Sequence, residues 1–318
     1  MIHFFRLTRP VNLIITAVTM YGLGWYLEGY YANGEQFGIR SFPFFLLVLS
    51  TILIAAAGNV INDYFDVRAD RVNKPEKLII GVHLKRRWAI ISHWGLNSVA
   101  FGIAIYLSWL FQSFWYLFIH LLSINLLWGY SSYFKRKMLI GNFIIAGLTA
   151  LVPILVSIYF HINPNLILLT ESDNFPFSED FALDIVLNVS LTIAIFAFIL
   201  NLVREIVKDI QDIEGDKLLH AKTIPIVLGI KVTKIICYLI MTGTLASLFY
   251  FEMFYAISDF NAMIPIWFAT GFVLIALFLL VFAQDRKGLK QVDLFIKLAM
   301  IAGLLAPVYW KYLIITHG

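Results

Sequence analysis

The chain has a single cysteine, Cys237, in 318 residues, so it can form no internal disulfide and no Cys-rich metal site. Its seven histidines are scattered and include no HExxH pairing, which leaves zinc chemistry without a ligand pattern. Charge is equally scarce. Only 14% of residues are Asp, Glu, Lys or Arg, against 60% hydrophobic, and the mean hydropathy is +0.82. That balance excludes a large soluble domain and falls in the membrane class. No linker or low-complexity tract separates the apolar runs.

What the chain does have is a series of apolar segments near the roughly twenty residues that cross a bilayer as a helix. Nine are expected, over 11–31, 42–62, 88–110, 114–133, 138–160, 183–207, 232–255, 262–283 and 293–314. The expected fold is therefore all-α, a polytopic bundle of nine transmembrane helices with cap loops on the cytoplasmic side, forming one domain over 1–318. With nine spans, the loops on the side of the N-terminus carry 21 of the 24 Lys and Arg residues. The opposite loops hold only Arg40 and nine acids, including Glu171, Asp173, Glu179, Asp180 and Asp184. By the positive-inside rule the N-terminus is cytoplasmic and the C-terminus lies on the opposite side. The one longer outer connection, about 161–182, contains "NPN" and "SDNFPFSED", which is turn chemistry with an acidic excess.

Two acidic clusters stand out, both at the cytoplasmic ends of apolar spans. In "GNVINDYFDVRAD", Asn62, Asp66 and Asp70 recur every four residues and share one face if the second helix continues past the lipid, with Asp63 between them. Like charges at this spacing repel, so cationic partners are expected, and Arg68, Arg71 and Lys74 follow at once. In "REIVKDIQDIEGDK", Arg204, Lys208, Asp212 and Asp216 form a second stripe at intervals of four, with Asp209 three residues before Asp212. Closing the bundle is expected to bring the two clusters face to face. Carboxylates flanked by Lys and Arg suit the holding of a diphosphate through Mg²⁺, a hard ion that shares its shell between a few carboxylates, water and phosphate oxygens. Basic side chains take the remaining phosphate charge. A solvated helix end is the ordinary meaning of one such cluster; two with matched spacing on one side favour chemistry.

At these residues the chain resembles the UbiA superfamily of intramembrane prenyltransferases. The family's first motif, NDxxDxxxD, is matched in full by Asn62, Asp63, Asp66 and Asp70, and its DxxxD pair by Asp212 and Asp216, with Asp209 extending it. "NKPEKLIIGVH" from Asn73 resembles the following loop, with Lys77 at its basic position and Leu78 where proline is usual. "GYSSYFKR" resembles the tyrosine segment and implicates Tyr130 beside the prenyl cation and Lys135 at the diphosphate, while "LTRPVN" implicates Arg9 and Asn12. The resemblance implies Mg²⁺-dependent transfer of a prenyl group, with Asp66, Asp70, Asp212, Asp216 and Tyr130 catalytic. Asn62, Asp66, Asp70, Asp209, Asp212 and Asp216 are the implied metal ligands. Asn62, Asp63, Lys77, Lys135, Arg204, Lys208, Arg9 and Asn12 are the implied substrate contacts.

The implied partners are a prenyl diphosphate donor and a hydrophobic acceptor in the membrane, and not nucleic acid. The wording from Arg204 to Gly229 looks most like members that join a geranylgeranyl chain to geranylgeranylglyceryl phosphate, and "NDYFD" is also shared with quinone-pathway members that alkylate an aromatic carbon. An ion-coupled transporter would instead place its carboxylates near the midplane of interrupted helices. The DGxxAR signature of another Mg²⁺-dependent membrane class, the CDP-alcohol phosphotransferases, is absent.

Overall fold

Helices account for nearly all of the regular structure. In the computed structural model, residues 2–28, 38–162, 179–255 and 260–317 are described. They form α1 (Ile2–Leu7), α2 (Pro10–Glu28), α3 (Phe42–Asn73), α4 (Arg86–Leu110), α5 (Phe114–Ser132), α6 (Ile140–Ile162) and α7 (Glu179–Gln211). Two short helices, α8 (Ile213–Leu218) and α9 (Ile224–Val227), precede α10 (Gly229–Tyr255), α11 (Ile264–Phe282) and α12 (Arg286–His317). Most of the acidic outer loop, residues 163–178, lies outside the described residues.

Eight of the described helices are long and apolar enough to cross a membrane, which makes this an all-α, multi-pass membrane protein. The ninth expected span is also a helix, α5, of 19 residues, but it is not among the eight. His120, Asn125 and its serines dilute its hydropathy, and two of these polar groups are satisfied locally. The His120 ring bonds Ser50 Oγ at 2.7 Å and the Tyr116 carbonyl at 2.7 Å, and Asn125 donates to the Leu121 carbonyl. Elsewhere large apolar side chains such as Trp109, Leu239, Phe278 and Phe282 stand exposed, as expected where lipid replaces water.

By its internal contacts the chain divides into two compact units. The first comprises residues 1–70, 74–132 and 151–192. Its aromatic centre packs Phe44 edge-on against Tyr159, with ring centroids 5.1 Å apart, and Phe111 against Tyr159 at 5.4 Å. A smaller cluster of Leu7, Val60, Val67, Ile80 and Ala89 packs around the acidic end of α3. The second unit comprises residues 71–73, 133–150 and 193–318, and packs Val203, Ile206 and Val207 of α7 with Met241, Val273, Val292 and Ile296.

Helix α3 positions the first acidic motif. Ser41 caps it by accepting the Phe44 N–H, and Pro43 sits in the first turn, where a missing N–H has no helical partner to lose. It then runs unbroken for 32 residues until Pro75, which disfavours a helical Lys74. Near its middle Gly58 lets α5 approach: a Cβ built there would lie 2.9 Å from Leu127 Cδ1. We expect Gly58→Val to destabilise the protein by about 1–3 kcal/mol through overpacking. Thermal unfolding in detergent checks this, and Leu127→Ala in the same chain is expected to restore part of the loss; no recovery would mean that this contact is not the cause.

Candidate functional site

The first motif lies on one uninterrupted helix, so the spacing of Asn62, Asp66 and Asp70 becomes a shared face. The Asn62 amide donates to Asp66 Oδ2 at 2.9 Å. A carboxylate accepts and does not donate when ionised, so this bond fixes which end of the amide faces Asp66. Asn62 Oδ1 is then left buried without a hydrogen-bond partner among the described residues, beside the buried Asp66. An orphaned buried carbonyl oxygen is costly unless something cationic or protic meets it.

Asp63 faces elsewhere and is paired with Arg9 at 2.6 Å. Arg9 sits in the turn between α1 and α2 with a positive φ of 56°, and its carbonyl accepts the Asn12 N–H at 2.9 Å. Asn59 ties the same turn to α3 by donating to the Thr8 carbonyl at 3.0 Å. Lys77 ends an exposed 3-10 turn, Pro75–Lys77, and Tyr130 is half-buried near the end of α5. Arg86, a residue the motif reading did not single out, stacks 4.6 Å from the Tyr64 ring centroid and donates to the Tyr64 carbonyl.

In the second unit the four-residue stripe is not one straight helix. Helix α7 ends at Gln211, and α8 begins after Asp212. The cause is distant in sequence: Asn73, in the last turn of α3, donates to the Asp212 carbonyl at 3.0 Å and accepts the Gly215 N–H at 3.0 Å. Gly215 therefore gives its N–H to a side chain where a continuous helix would give it to Gln211. Arg286, at the start of α12, donates to Asp212 Oδ1 at 2.8 Å and to the Asn73 carbonyl. Asp216 is buried, and Asp209 accepts from Asn142 at 2.9 Å. The turn that holds Lys135, Phe134–Arg136, is joined to the loop after α8 by the Lys222 N–H and the Arg136 carbonyl at 2.9 Å.

The basic members of the stripe are matched by acids. Lys208 pairs with Glu205 at 2.6 Å, and Arg204 Nε lies 2.9 Å from Asp293 Oδ1 in an ion pair whose angle falls short of a hydrogen bond. Asp293, Asn142 and Arg286 did not emerge from the motifs, and Asn73 did so only as the first residue of the loop that carries Lys77, with no role of its own. Asp293 lies at i+7 from Arg286 on α12, and a lone acid amid an apolar span was the available signal for it.

Both motifs present oxygen donors suited to a hard cation. Among the described residues no three acidic, His or Cys side chains converge as a closed metal site. Mg²⁺ takes one or two carboxylates and completes its shell with water and substrate phosphate, and the orphaned Asn62 Oδ1 is an oxygen of the kind that could join such a shell.

A family model described as the UbiA prenyltransferase family matches residues 15–302. The digeranylgeranylglyceryl phosphate synthase of Thermococcus kodakarensis is 28% identical over 311 residues, covering 96% of this chain and 98% of the relative. That of Methanobrevibacter smithii is 31% identical over 272 residues, covering 83% and 85%. Among solved structures, a digeranylgeranylglyceryl phosphate synthase in membranes matches with a TM-score of 0.58 at 22% identity, over 96% of each chain. A UbiA homolog from Archaeoglobus fulgidus bound to GPP and Mg²⁺ matches with a TM-score of 0.58 at 18% identity, over 96% of this chain and 99% of that one.

Removing Asp293 takes from Arg204 its shorter ion pair and leaves the longer one to Glu205, at 3.7 Å. Fully buried pairs lose about 3–5 kcal/mol when one partner is deleted, and this pair is partly exposed, so we expect Asp293→Ala to cost about 1–2 kcal/mol. Chemical denaturation in detergent measures it, and a change within error would show that Arg204 does not depend on Asp293.

Proposed function

The chain belongs to the UbiA prenyltransferase family, and from that premise we propose that it moves a geranylgeranyl group from geranylgeranyl diphosphate to the free hydroxyl of geranylgeranylglyceryl phosphate, forming an ether lipid. The observation that carries the acceptor is the shared name of relatives aligned over nearly the whole chain, digeranylgeranylglyceryl phosphate synthase. The family match runs through both compact units, which supports reading 1–318 as one catalytic domain. The excess of Lys and Arg in the loops on the N-terminal side supports a cytoplasmic site and N-terminus, with the C-terminus opposite.

In this reading Asn62, Asp66 and Asp70 in the first motif, and Asp209, Asp212 and Asp216 in the second, hold Mg²⁺. Bound there, Mg²⁺ supplies Lewis-acid neutralisation of the departing diphosphate. The C1–O bond to diphosphate breaks, a new C1–O bond forms to the acceptor hydroxyl, and the hydroxyl's proton passes to the departing diphosphate. Lys77, Lys135, Arg9 and Asn12 take phosphate charge and hydrogen bonds at the donor. Tyr130 turns its aromatic face to the carbon that gains positive character. Arg204 and Lys208, each already balanced by an acid, are suited to the acceptor's phosphate because an arriving dianion can share these cations without leaving an isolated charge behind. The apolar bundle excludes the water that would otherwise capture the cation.

Asp66→Ala and Asp212→Ala are expected to lower turnover by at least about 100-fold, because several kcal/mol of charge stabilisation disappear, while the protein still inserts and purifies. Diphosphate release from labelled geranylgeranyl diphosphate is the readout, and full activity in either variant would sink the assignment. Offering geranylgeranylglyceryl phosphate beside a quinone-ring precursor decides the acceptor: faster alkylation of the aromatic ring would replace the ether-lipid reading.

A further inference from the structure

Asp212 is held by a closed circuit of contacts within the second unit. The Arg286 guanidinium donates to Asp212 Oδ1 at 2.8 Å and to the Asn73 carbonyl. The Asn73 amide donates to the Asp212 carbonyl at 3.0 Å, and its oxygen accepts the Gly215 N–H at 3.0 Å. Asn73 is buried, as are Gly215 and Asp216. One planar amide thus spans the break between α7 and α8, and it needs both a donor and an acceptor to do so. Aspartate would have to give up the donor and set a carboxylate against the Asp212 carbonyl. Leucine or alanine would take the acceptor from the buried Gly215 N–H and leave the Asp212 carbonyl with its helical bond from Asp216 alone.

We infer that Asn73 and Arg286 are positioning residues that act together as one latch, setting the rotation of Asp212 and, four residues on, the placement of Asp216 for metal binding. The inference rests on the prenyl-transfer reading, in which these aspartates are metal ligands. A purely structural tie would need only the Asn73 bonds to the backbone. The Arg286 contact goes to the carboxylate itself, and so acts on the group that meets the ion. Residues that orient metal ligands through hydrogen bonds typically change metal affinity by about 10–100-fold when removed. Members of one hydrogen-bonded circuit are also expected to show non-additive effects.

The test uses the full chain in detergent and two readouts. The first is the Mg²⁺ concentration that half-saturates diphosphate release. The second is Mn²⁺ binding by electron paramagnetic resonance with inorganic diphosphate present and no turnover. Asn73→Ala and Arg286→Ala are each expected to raise both concentrations about tenfold. The double variant is expected to be no worse than the weaker single variant, and Arg286→Lys, which keeps one charged donor, to recover part of the loss. Mg²⁺ and Mn²⁺ curves for Asn73→Ala that overlay those of the wild type overturn the latch, whatever happens to thermal stability. So do fully additive effects. A wild type that binds Mn²⁺ with diphosphate yet transfers no prenyl group overturns the functional reading alone, and the Mn²⁺ comparison still decides the latch. A wild type that binds no Mn²⁺ overturns both.

Discussion

A carboxylate at the end of an apolar helix has to be neutralised, and the arrangement of both acidic motifs follows from that constraint. Taking an ion out of water costs several kcal/mol unless a partner and hydrogen bonds replace its hydration. The structure meets this with individual assignments. Asp63 has Arg9, Asp209 has the Asn142 amide, Asp212 has Arg286, Glu205 has Lys208 and Asp293 has Arg204. A scaffold whose acids merely faced solvent would need none of these pairings. The pairings also cover only part of the oxygen inventory: Asn62 Oδ1 stays buried beside Asp66 with nothing to accept from among the described residues.

The two motifs reach this state by different physics. In the first, the α3 backbone is satisfied by its own helical ladder from Phe42 to Asn73, so the side chains at four-residue spacing are placed by backbone geometry alone. Asn62 and Asp66 meet because any i, i+4 pair on a regular helix meets. In the second, the helix breaks at Asp212, where Asn73 and Arg286, far away in the chain, bond its carbonyl and its carboxylate.

That difference explains what could be read from the amino-acid order. The expected spans, the charge bias of the loops and the shared face of Asn62, Asp66 and Asp70 all follow from local periodicity and composition, and the described residues include a long helix at each of the nine expected spans. Local periodicity also predicted a continuous stripe through Arg204, Lys208, Asp212 and Asp216, and there it reached its limit. Nothing within four residues of Asp212 announces that its carbonyl will bond Asn73, 139 positions earlier. Nor does anything near Arg204 point to Asp293. Hydropathy also placed α5 among the spans, and it is a helix of 19 residues there, with a buried His120 bonded to Ser50 across helices.

A motif built on one continuous helix and a motif built on a break therefore respond differently to change. Along α3, a surface substitution between motif positions leaves the face intact, because the register is carried by many equivalent backbone bonds and loses little with any one of them. At Asp212 the backbone keeps its bonds to Lys208 and from Asp216, but the Gly215 N–H and the Asp212 carboxylate are each held by a distant side chain. The circuit also links groups of different kinds: a carboxylate, its own backbone carbonyl, an amide and a guanidinium. Changing one member alters the electrostatic setting of Asp212 as well as its position. Asn73 lies three residues beyond Asp70 on the helix that carries the first motif, so one of the residues that bond Asp212 continues that helix. The contacts of the second motif therefore reach beyond its signature, to Asn73 on the helix of the first motif and to Arg286 on a helix that carries no recognisable motif.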